Sequence, residues 1–235
     1  MKQTTLRVLP LFSFLLTASA AALFAESGSD PDAVICRTNQ TLLQRGADLK
    51  PVNEPMNLSP SIKVSTNCTY QVEEGKDRDL EPGQTLRADG FLLNADGSIV
   101  PVADHVAMNK GVVTVYKDGK GQAITSSLTL GDGSTVDPDG SYSRPNGRRG
   151  RLRDGQILTM GGAALPSLDT ITFRGGKVTV YKSGALVTID AANQTMGMAD
   201  GTKVRGDGFL ISRDGAETPL KEGQTITVES LRAEW

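Results

Sequence analysis

Five arginines lie within one short stretch of the sequence and form its densest basic cluster: Arg144, Arg148, Arg149, Arg151 and Arg153. A planar guanidinium group can bind a carboxylate or a phosphate through two parallel hydrogen bonds, so this stretch is a candidate site for an anionic partner. The alternative is a solvated turn whose charges only aid solubility, as most short runs of charge do. The residue types alone do not separate these two interpretations.

Aspartates recur beside glycines, and two segments, 94–98 and 132–140, bring several side-chain oxygens together. Calcium binds about six to eight oxygen ligands, but neither segment has a Glu at the distance after the Gly that an EF-hand loop requires. Asp-Gly is also a frequent sequence of tight hairpin turns. We therefore predict turns without metal ligands, and a calcium-stabilised structural repeat stays as an alternative.

Catalytic groups are scarce in this sequence. His105 is the single histidine and stands beside Asp104, so a Ser–His–Asp site would need a distant serine. No Gly-x-Ser-x-Gly segment supports such a site, and a lone histidine in a turn is more often incidental. We expect no catalytic residue and no cofactor, with a hydrolase of an envelope or extracellular polymer as the alternative.

The overall composition narrows the classes of protein. The 235 residues include 25 Lys and Arg against 27 Asp and Glu, so the charge does not indicate a nucleic-acid or anionic-membrane partner. One His and two Cys argue against a zinc site built from these residues. A hydrophobic share of 38% argues against a disordered tail, a collagen or a coiled coil.

The segment 1–25 has the pattern of a secretory signal peptide. Lys2 and Arg7 precede an apolar stretch that ends in small residues, and Glu26 begins a polar stretch. The apolar stretch is marginal in length for an uncleaved membrane anchor and contains Pro10. We expect cleavage and a periplasmic or secreted protein that is not integral to the membrane.

The two cysteines, Cys36 and Cys68, are a second candidate site after the arginine cluster. An exported chain with two cysteines usually oxidises them, which favours a structural disulfide. The alternative is a redox-active pair, although the spacing is far from Cys-x-x-Cys.

The sequence after residue 25 repeats one unit three times. Each copy ends on the pattern Leu-x-x-Gly-Gln, at Leu80–Gln84, Leu152–Gln156 and Leu220–Gln224. Similarity at a fixed period is the mark of a repeat architecture. The boundaries that follow are a signal peptide at 1–25, a degenerate first repeat at 26–86, a half-repeat insert at 87–104, a second repeat at 105–158, a linker at 159–169 and a third repeat at 170–235.

Each unit has the pattern of short strands. Val112–Lys117 and Lys177–Tyr181 carry β-branched and aromatic residues in alternation, so Val113 and Val115, like Val178 and Val180, share a face, which favours β-structure. Asp-Gly pairs between such segments predict tight hairpins. We therefore predict an all-β fold of tandem hairpin repeats, packed into one or more small sheets or barrels, with no substantial helix outside the signal peptide. One unit looks too small for a core of its own, so we expect the units to pack together.

Comparison of the repeats separates structural residues from candidate functional ones. A residue that occurs in every copy is expected to stabilise the unit, because the residues of a single active site would not recur in all three copies. Gln84, Gln156 and Gln224 occur in all copies, and the tyrosines form the equivalent pairs Tyr70 with Tyr142 and Tyr116 with Tyr181. We interpret these as residues that satisfy turns or pack the core. The arginines and the cysteines each belong to one copy and are better candidates.

Three segments, Met108–Gly119, Leu128–Val136 and Leu152–Gln156, resemble a bacterial exported domain of unknown function, catalogued as family 6799. The second and third copies resemble it well and the first copy less. The resemblance implies a secreted or periplasmic Gly-rich β-repeat protein. It assigns no catalytic residue, because the family carries no assigned activity.

The function expected from the sequence is non-catalytic binding or structural support in the cell envelope. The arginine hairpin and the insert would contact an anionic partner such as lipopolysaccharide, teichoic acid, acidic polysaccharide or a partner protein. Nucleic acid is not an expected partner. Exposed strand edges would also permit self-association.

Overall fold

The computed structural model describes residues 32–229, and all of the regular secondary structure in that range is β-strand. The predicted all-β fold is therefore confirmed for this part of the chain. The predicted signal peptide lies outside the described residues. Among the described residues, no helix has the length and apolar character to cross a membrane.

The strands follow the same order in each repeat. The first repeat contains β1 (Ala33–Arg37), β2 (Gln40–Arg45), β3 (Asp48–Pro51), β4 (Met56–Ser59), β5 (Ile62–Val64), β6 (Thr69–Val72), β7 (Asp77–Asp79) and β8 (Thr85–Arg87). The insert adds β9 (Phe91–Leu93) and β10 (Ile99–Pro101). The second repeat contains β11 (His105–Asn109), β12 (Val112–Lys117), β13 (Lys120–Ala123), β14 (Leu128–Thr129), β15 (Thr135–Val136), β16 (Ser141–Ser143), β17 (Arg149–Arg151) and β18 (Ile157–Thr159), followed by β19 (Ala164–Leu165). The third repeat contains β20 (Leu168–Arg174), β21 (Lys177–Lys182), β22 (Ala185–Ile189), β23 (Thr195–Gly197), β24 (Lys203–Arg205), β25 (Phe209–Ile211), β26 (Glu217–Pro219) and β27 (Thr225–Glu229).

Every repeat builds two antiparallel sheets. Its first three strands form a meander, its next four form a second meander, and its last strand returns to pair with the first strand. In this way β8 pairs with β1, β18 with β11 and β27 with β20. The last strand of each repeat thus pairs with the first, so the two ends of the repeat lie side by side in one sheet.

Each repeat also has its own hydrophobic core, which differs from the expectation that one unit would be too small. In the second repeat, Val106 and Val113 of the first sheet and Val136 of the second sheet are buried in one cluster. Equivalent clusters fill the first and third repeats. The difference arises because eight strands in two sheets bury more apolar surface than the single hairpins that the sequence suggested.

The two segments between the repeats extend the sheets. The insert 87–104 contributes β9 and β10, which continue the first repeat's sheet beyond β8. The segment 159–169, which we expected to be a linker, contributes β19, which pairs with β18. A Gly-rich stretch can still form a strand here because the adjacent edge of β18 offers free backbone groups.

Candidate functional site

The arginine segment forms the hairpin between β16 and β17 in the second sheet of the second repeat. Successive strand residues point to opposite faces, so Arg149 and Arg151 share one face and Gly150 faces the other way. The ring of Tyr142 covers Gly150 so closely that a side chain there would collide with it. The hairpin thus holds two guanidinium groups on one face and packs its other face.

Most of these arginines face solvent. Four of the five are exposed, and Arg144 is half-buried. Arg151 Nε donates a hydrogen bond to the backbone oxygen of Asp139 at 3.1 Å. The side chains of Arg149 and Arg153 form no ion pair with any other residue in the described range 32–229.

At the equivalent hairpin of the third repeat, the carboxylate of Glu217 is paired with Arg205 of β24, the strand next to the hairpin. Arg205 lies 2.8 Å from Asp207 Oδ1 and 2.7 Å from Glu217 Oε1. Glu217 occupies the position that Arg149 has in the second repeat, and Asp77 occupies it in the first. The second repeat therefore has a cation where the other two have a carboxylate.

The aspartate carboxylates of the Asp-Gly turns accept hydrogen bonds from residues of the same turn. Asp132 Oδ1 accepts the N–H of Ser134 at 2.8 Å, and its Oδ2 accepts the Ser134 hydroxyl at 2.9 Å. The same two bonds recur at Asp139 with Ser141 and at Asp200 with Thr202. The Ser134 N–H, helped by its hydroxyl, lowers the pKa of Asp132. These bonds account for the Asp-Gly-Ser/Thr pattern as turn chemistry.

Cys36 and Cys68 form a disulfide with their Cα atoms 5.4 Å apart, which confirms the predicted bridge. Cys36 lies in β1, and Cys68 immediately precedes β6, so the bond joins the two sheets of the first repeat. Cys68 has a positive φ of 64°, a backbone conformation that favours glycine.

The other two repeats have an apolar contact at the same place. A Cβ atom on Gly140 would lie 2.7 Å from Met108 Cε, and one on Gly208 would lie 2.8 Å from Phe173 Cε2. A long apolar side chain in the first strand thus covers a glycine near the second sheet. In the first repeat the disulfide takes the place of that contact.

Comparison with known families identifies the family of the second and third repeats. The model of a domain of unknown function, DUF6799, matches the chain twice, over residues 103–164 and 168–229. The two matches span more than half of the 235 residues. The chain belongs to the DUF6799 family. No curated protein and no solved structure matches it.

The boundaries of the DUF6799 matches agree with the structural units. The first match runs from just before β11 to the start of β19, and the second runs from the start of β20 to the end of β27. Residues 33–87 lie outside both matches but have the same eight strands in the same order. The first repeat is therefore a third DUF6799-like unit by architecture.

The glutamine of each repeat closes the turn before the returning strand. Its Oε1 accepts a backbone N–H three residues earlier, at 2.9 Å for Gln84, 2.9 Å for Gln156 and 2.8 Å for Gln224. This bond confirms the structural role that the repeat pattern predicted for these residues.

A small cavity lies between the insert and the second and third repeats. Its volume is about 50 Å³, and its lining includes His105, Tyr116, Asp169 and Tyr181. That volume is enough for a few water molecules and far too small for a sugar polymer. The two tyrosines that the sequence paired as equivalents both contribute to its wall.

His105 is buried in β11 rather than placed in a turn, which corrects the expectation from sequence. Its ring stacks on Tyr116 with the ring centroids 4.5 Å apart, and its Nδ1 lies 2.8 Å from the carbonyl oxygen of Ala103. Burial lowers the pKa of His105, which keeps the imidazole neutral at neutral pH. These contacts give the histidine a packing role.

One aspartate at the start of each repeat is also equivalent by position: Asp32, Asp104 and Asp169. Asp32 pairs with Arg45 at 2.9 Å and Asp104 with Arg78 at 3.5 Å. Asp169 Oδ1 accepts the N–H of Ser183 at 3.2 Å, whereas its Oδ2 is buried without a hydrogen-bond partner. Burial raises the pKa of Asp169. Sequence analysis missed this residue, although its column was visible in the repeats.

The variant Asp169→Asn is expected to change how stability depends on pH. The stabilisation from the neutral carboxyl is complete below the ordinary value of 3.8 and is lost as the pH rises through the raised pKa. The amide keeps an acceptor for the Ser183 N–H but has no charge. The variant should therefore gain stability relative to the wild type as the pH rises.

Denaturant unfolding at several pH values from about 4 to 8 measures this difference. Asp48→Asn, which removes an exposed carboxylate in β3, is the control for the loss of one negative charge. A difference between Asp169→Asn and the wild type that stays constant with pH would contradict the prediction.

Proposed function

We propose that this protein is an exported, non-catalytic binding module of the bacterial cell envelope, periplasmic or secreted, that contacts an anionic partner through the arginine hairpin. The observation that carries the proposal is the pair of exposed arginines on one face of β17, Arg149 and Arg151. Arg151 interacts with Asp139, whereas Arg149 has no ion pair with any residue from 32 to 229. The other repeats have Glu217 and Asp77 at the position of Arg149. The β-hairpin fixes the backbone of both arginines, so binding does not have to order the main chain.

Two further features support the proposal. The pattern of residues 1–25 favours export, and the Cys36–Cys68 bond is typical of proteins from oxidising compartments such as the periplasm. The cavity beside His105 is too small for a polymer, so His105 gives no support to the alternative of hydrolysis.

The double variant Arg149→Ser/Arg151→Ser is expected to weaken binding to an anionic polymer at least about tenfold, because two charge-assisted contacts are lost. The probes are poly(glycerol phosphate), which offers phosphates, and polygalacturonate, which offers carboxylates. Surface plasmon resonance at several salt concentrations measures the Kd for each.

The matched control is Lys203→Ser/Lys221→Ser, which removes two exposed cations from the third repeat. This control has the same net charge as the arginine variant and should bind like the wild type. Equal loss of binding in both double variants would reject a specific role for the hairpin and favour a general effect of charge.

A further inference from the structure

An open groove of about 490 Å³ crosses the outer face of the third repeat's first sheet. Its floor has two rows that run across the strands. One row consists of threonines that pair in register, Thr188 with Thr179 and Thr179 with Thr172. The neighbouring row contains Arg174 and Lys177, which also pair in register, and Asp190 follows at the end of β22.

One wall of the groove comes from the insert, at Ala95 and Asp96 in the turn between β9 and β10. The third repeat fixes this turn in place. Arg174 Nη1 donates a hydrogen bond to the Ala95 carbonyl oxygen at 3.2 Å, and the hydroxyl of Thr170 donates to the carbonyl oxygen of Gly97. The wall is therefore preorganised before any ligand binds.

This combination of side chains belongs to the third repeat alone. The threonine row is replaced by Ala123, Thr114 and Ala107 in the second repeat, and by Pro51, Leu42 and Ile35 in the first. Packing the apolar core does not explain the threonines, because Ile171 and Val178 point to the opposite face. A binding role explains why one copy has a hydroxyl-rich outer face.

The polar groups of the groove are available for a ligand. Thr179 and Thr188 donate no side-chain hydrogen bond to any other residue between 32 and 229, and each hydroxyl can both donate and accept. Arg174 uses one of its N–H groups on Ala95, which leaves the rest of its guanidinium free. Asp190 is an exposed carboxylate that can accept hydroxyl protons. Asp96 is also exposed, and because its Oδ1 accepts two hydrogen bonds from Ser98, its Oδ2 is the oxygen left for a ligand.

We propose that this groove binds an acidic sugar residue of a polysaccharide, with its carboxylate on Arg174 and Lys177. The sugar hydroxyls would bond to Thr179, Thr188 and the two aspartates, whereas Thr172 is buried and bonds to Thr225. The volume lies within the usual range of ligand sites, about 300–1,000 Å³. The polar lining favours a hydroxylated ligand over an apolar one.

The mixture of charges excludes simpler ligands. A neutral sugar would leave Arg174 and Lys177 without an anion, and a free inorganic anion would meet Asp96 and Asp190 without using the hydroxyl row. A uronic acid offers one carboxylate and several hydroxyls on the same ring, which matches the two rows.

This inference rests on the proposed function in taking the partner to be an acidic polymer, but the groove and the arginine hairpin are separate surfaces. Calorimetric titration of the whole protein with tetragalacturonate tests it. The methyl ester of the same tetramer has the same hydroxyls without the charge. We expect binding of the acid and at least about tenfold weaker binding of the ester.

Arg174→Gln and Lys177→Gln should each weaken tetragalacturonate binding about tenfold, and Thr188→Val should weaken it severalfold. The control is Arg37→Gln, which removes an exposed arginine at the equivalent position of the first repeat. Arg174→Gln also removes the hydrogen bond to Ala95 and could shift the insert. The side chain of Lys177 makes no bond to the insert, so Lys177→Gln tests the charge without that effect.

The outcomes separate the two proposals. Binding that survives Arg174→Gln and Lys177→Gln but is lost in Arg149→Ser/Arg151→Ser overturns the groove and leaves the proposed function standing. Binding lost in the groove variants alone supports the groove and removes the hairpin as the carboxylate site. Equal affinity for the acid and its ester, or an equal effect of Arg37→Gln, overturns the inference.

Discussion

The variant Cys36→Ser/Cys68→Ser is expected to lower the free energy of unfolding of the first repeat by roughly 3–4 kcal/mol. The two cysteines are 32 residues apart in sequence, and opening a loop of that length restores conformational entropy to the unfolded chain. Because each repeat has its own core, the loss should be concentrated in the first repeat.

Differential scanning calorimetry with and without a reductant measures this effect. One transition should move to lower temperature in the variant, and the wild type with a reductant should behave in the same way. A uniform shift of the whole unfolding profile would contradict independent cores and would indicate that the three repeats unfold together.

A second pair of substitutions tests whether the disulfide replaces the apolar contact of the other repeats. Cys36→Met/Cys68→Gly gives the first repeat the residues that the second has at Met108 and Gly140. Glycine also relieves the positive φ of 64° at Cys68. This variant should be more stable than the serine pair and insensitive to a reductant. If it is no more stable than the serine pair, the bridge and the Met–Gly contact are not equivalent.

Much of the fold follows from local patterns in the sequence. The alternation in Val112–Lys117 predicts a strand, and Asp118-Gly119 predicts the turn that follows it, because both depend on neighbouring residues only. The pairing of β8 with β1 was not predicted. It joins residues about fifty positions apart, and no local pattern marks which strand edge a later segment will occupy.

The candidate sites also differ in whether their residues are close together in sequence or come together only in the fold. The arginine hairpin is visible in sequence because its residues lie close together along the chain. The ion pair of Glu217, the third repeat's equivalent of Arg149, with Arg205 appears only once side chains are placed. The groove was missed because it joins Ala95 to Arg174, which lie 79 residues apart. Its threonines fall on three strands, and they form a row only when the register of those strands is known.

Gly155→Ala is expected to cost more stability than Gly223→Ala, although the two glycines occupy equivalent positions. Both lie in the turn before a returning strand, with φ of 81° and 77°. Alanine in that conformation costs roughly 1–2 kcal/mol at either site. A Cβ on Gly155 would also lie 2.5 Å from the Cα of Ser183, whereas a Cβ on Gly223 would have no atom within 4 Å.

The difference between these two variants isolates the contact between the second and third repeats. Gly155→Ala must displace the backbone of Ser183, which should add about 1–3 kcal/mol, the usual cost of overpacking. Chemical denaturation measures both free energies, and hydrogen exchange at Ser183 reports the bond from its N–H to Asp169. Faster exchange in Gly155→Ala alone would indicate that the close approach of the two turns holds the buried carboxylate in place. Equal costs at the two glycines would mean that the Ser183 turn yields freely and would contradict the prediction.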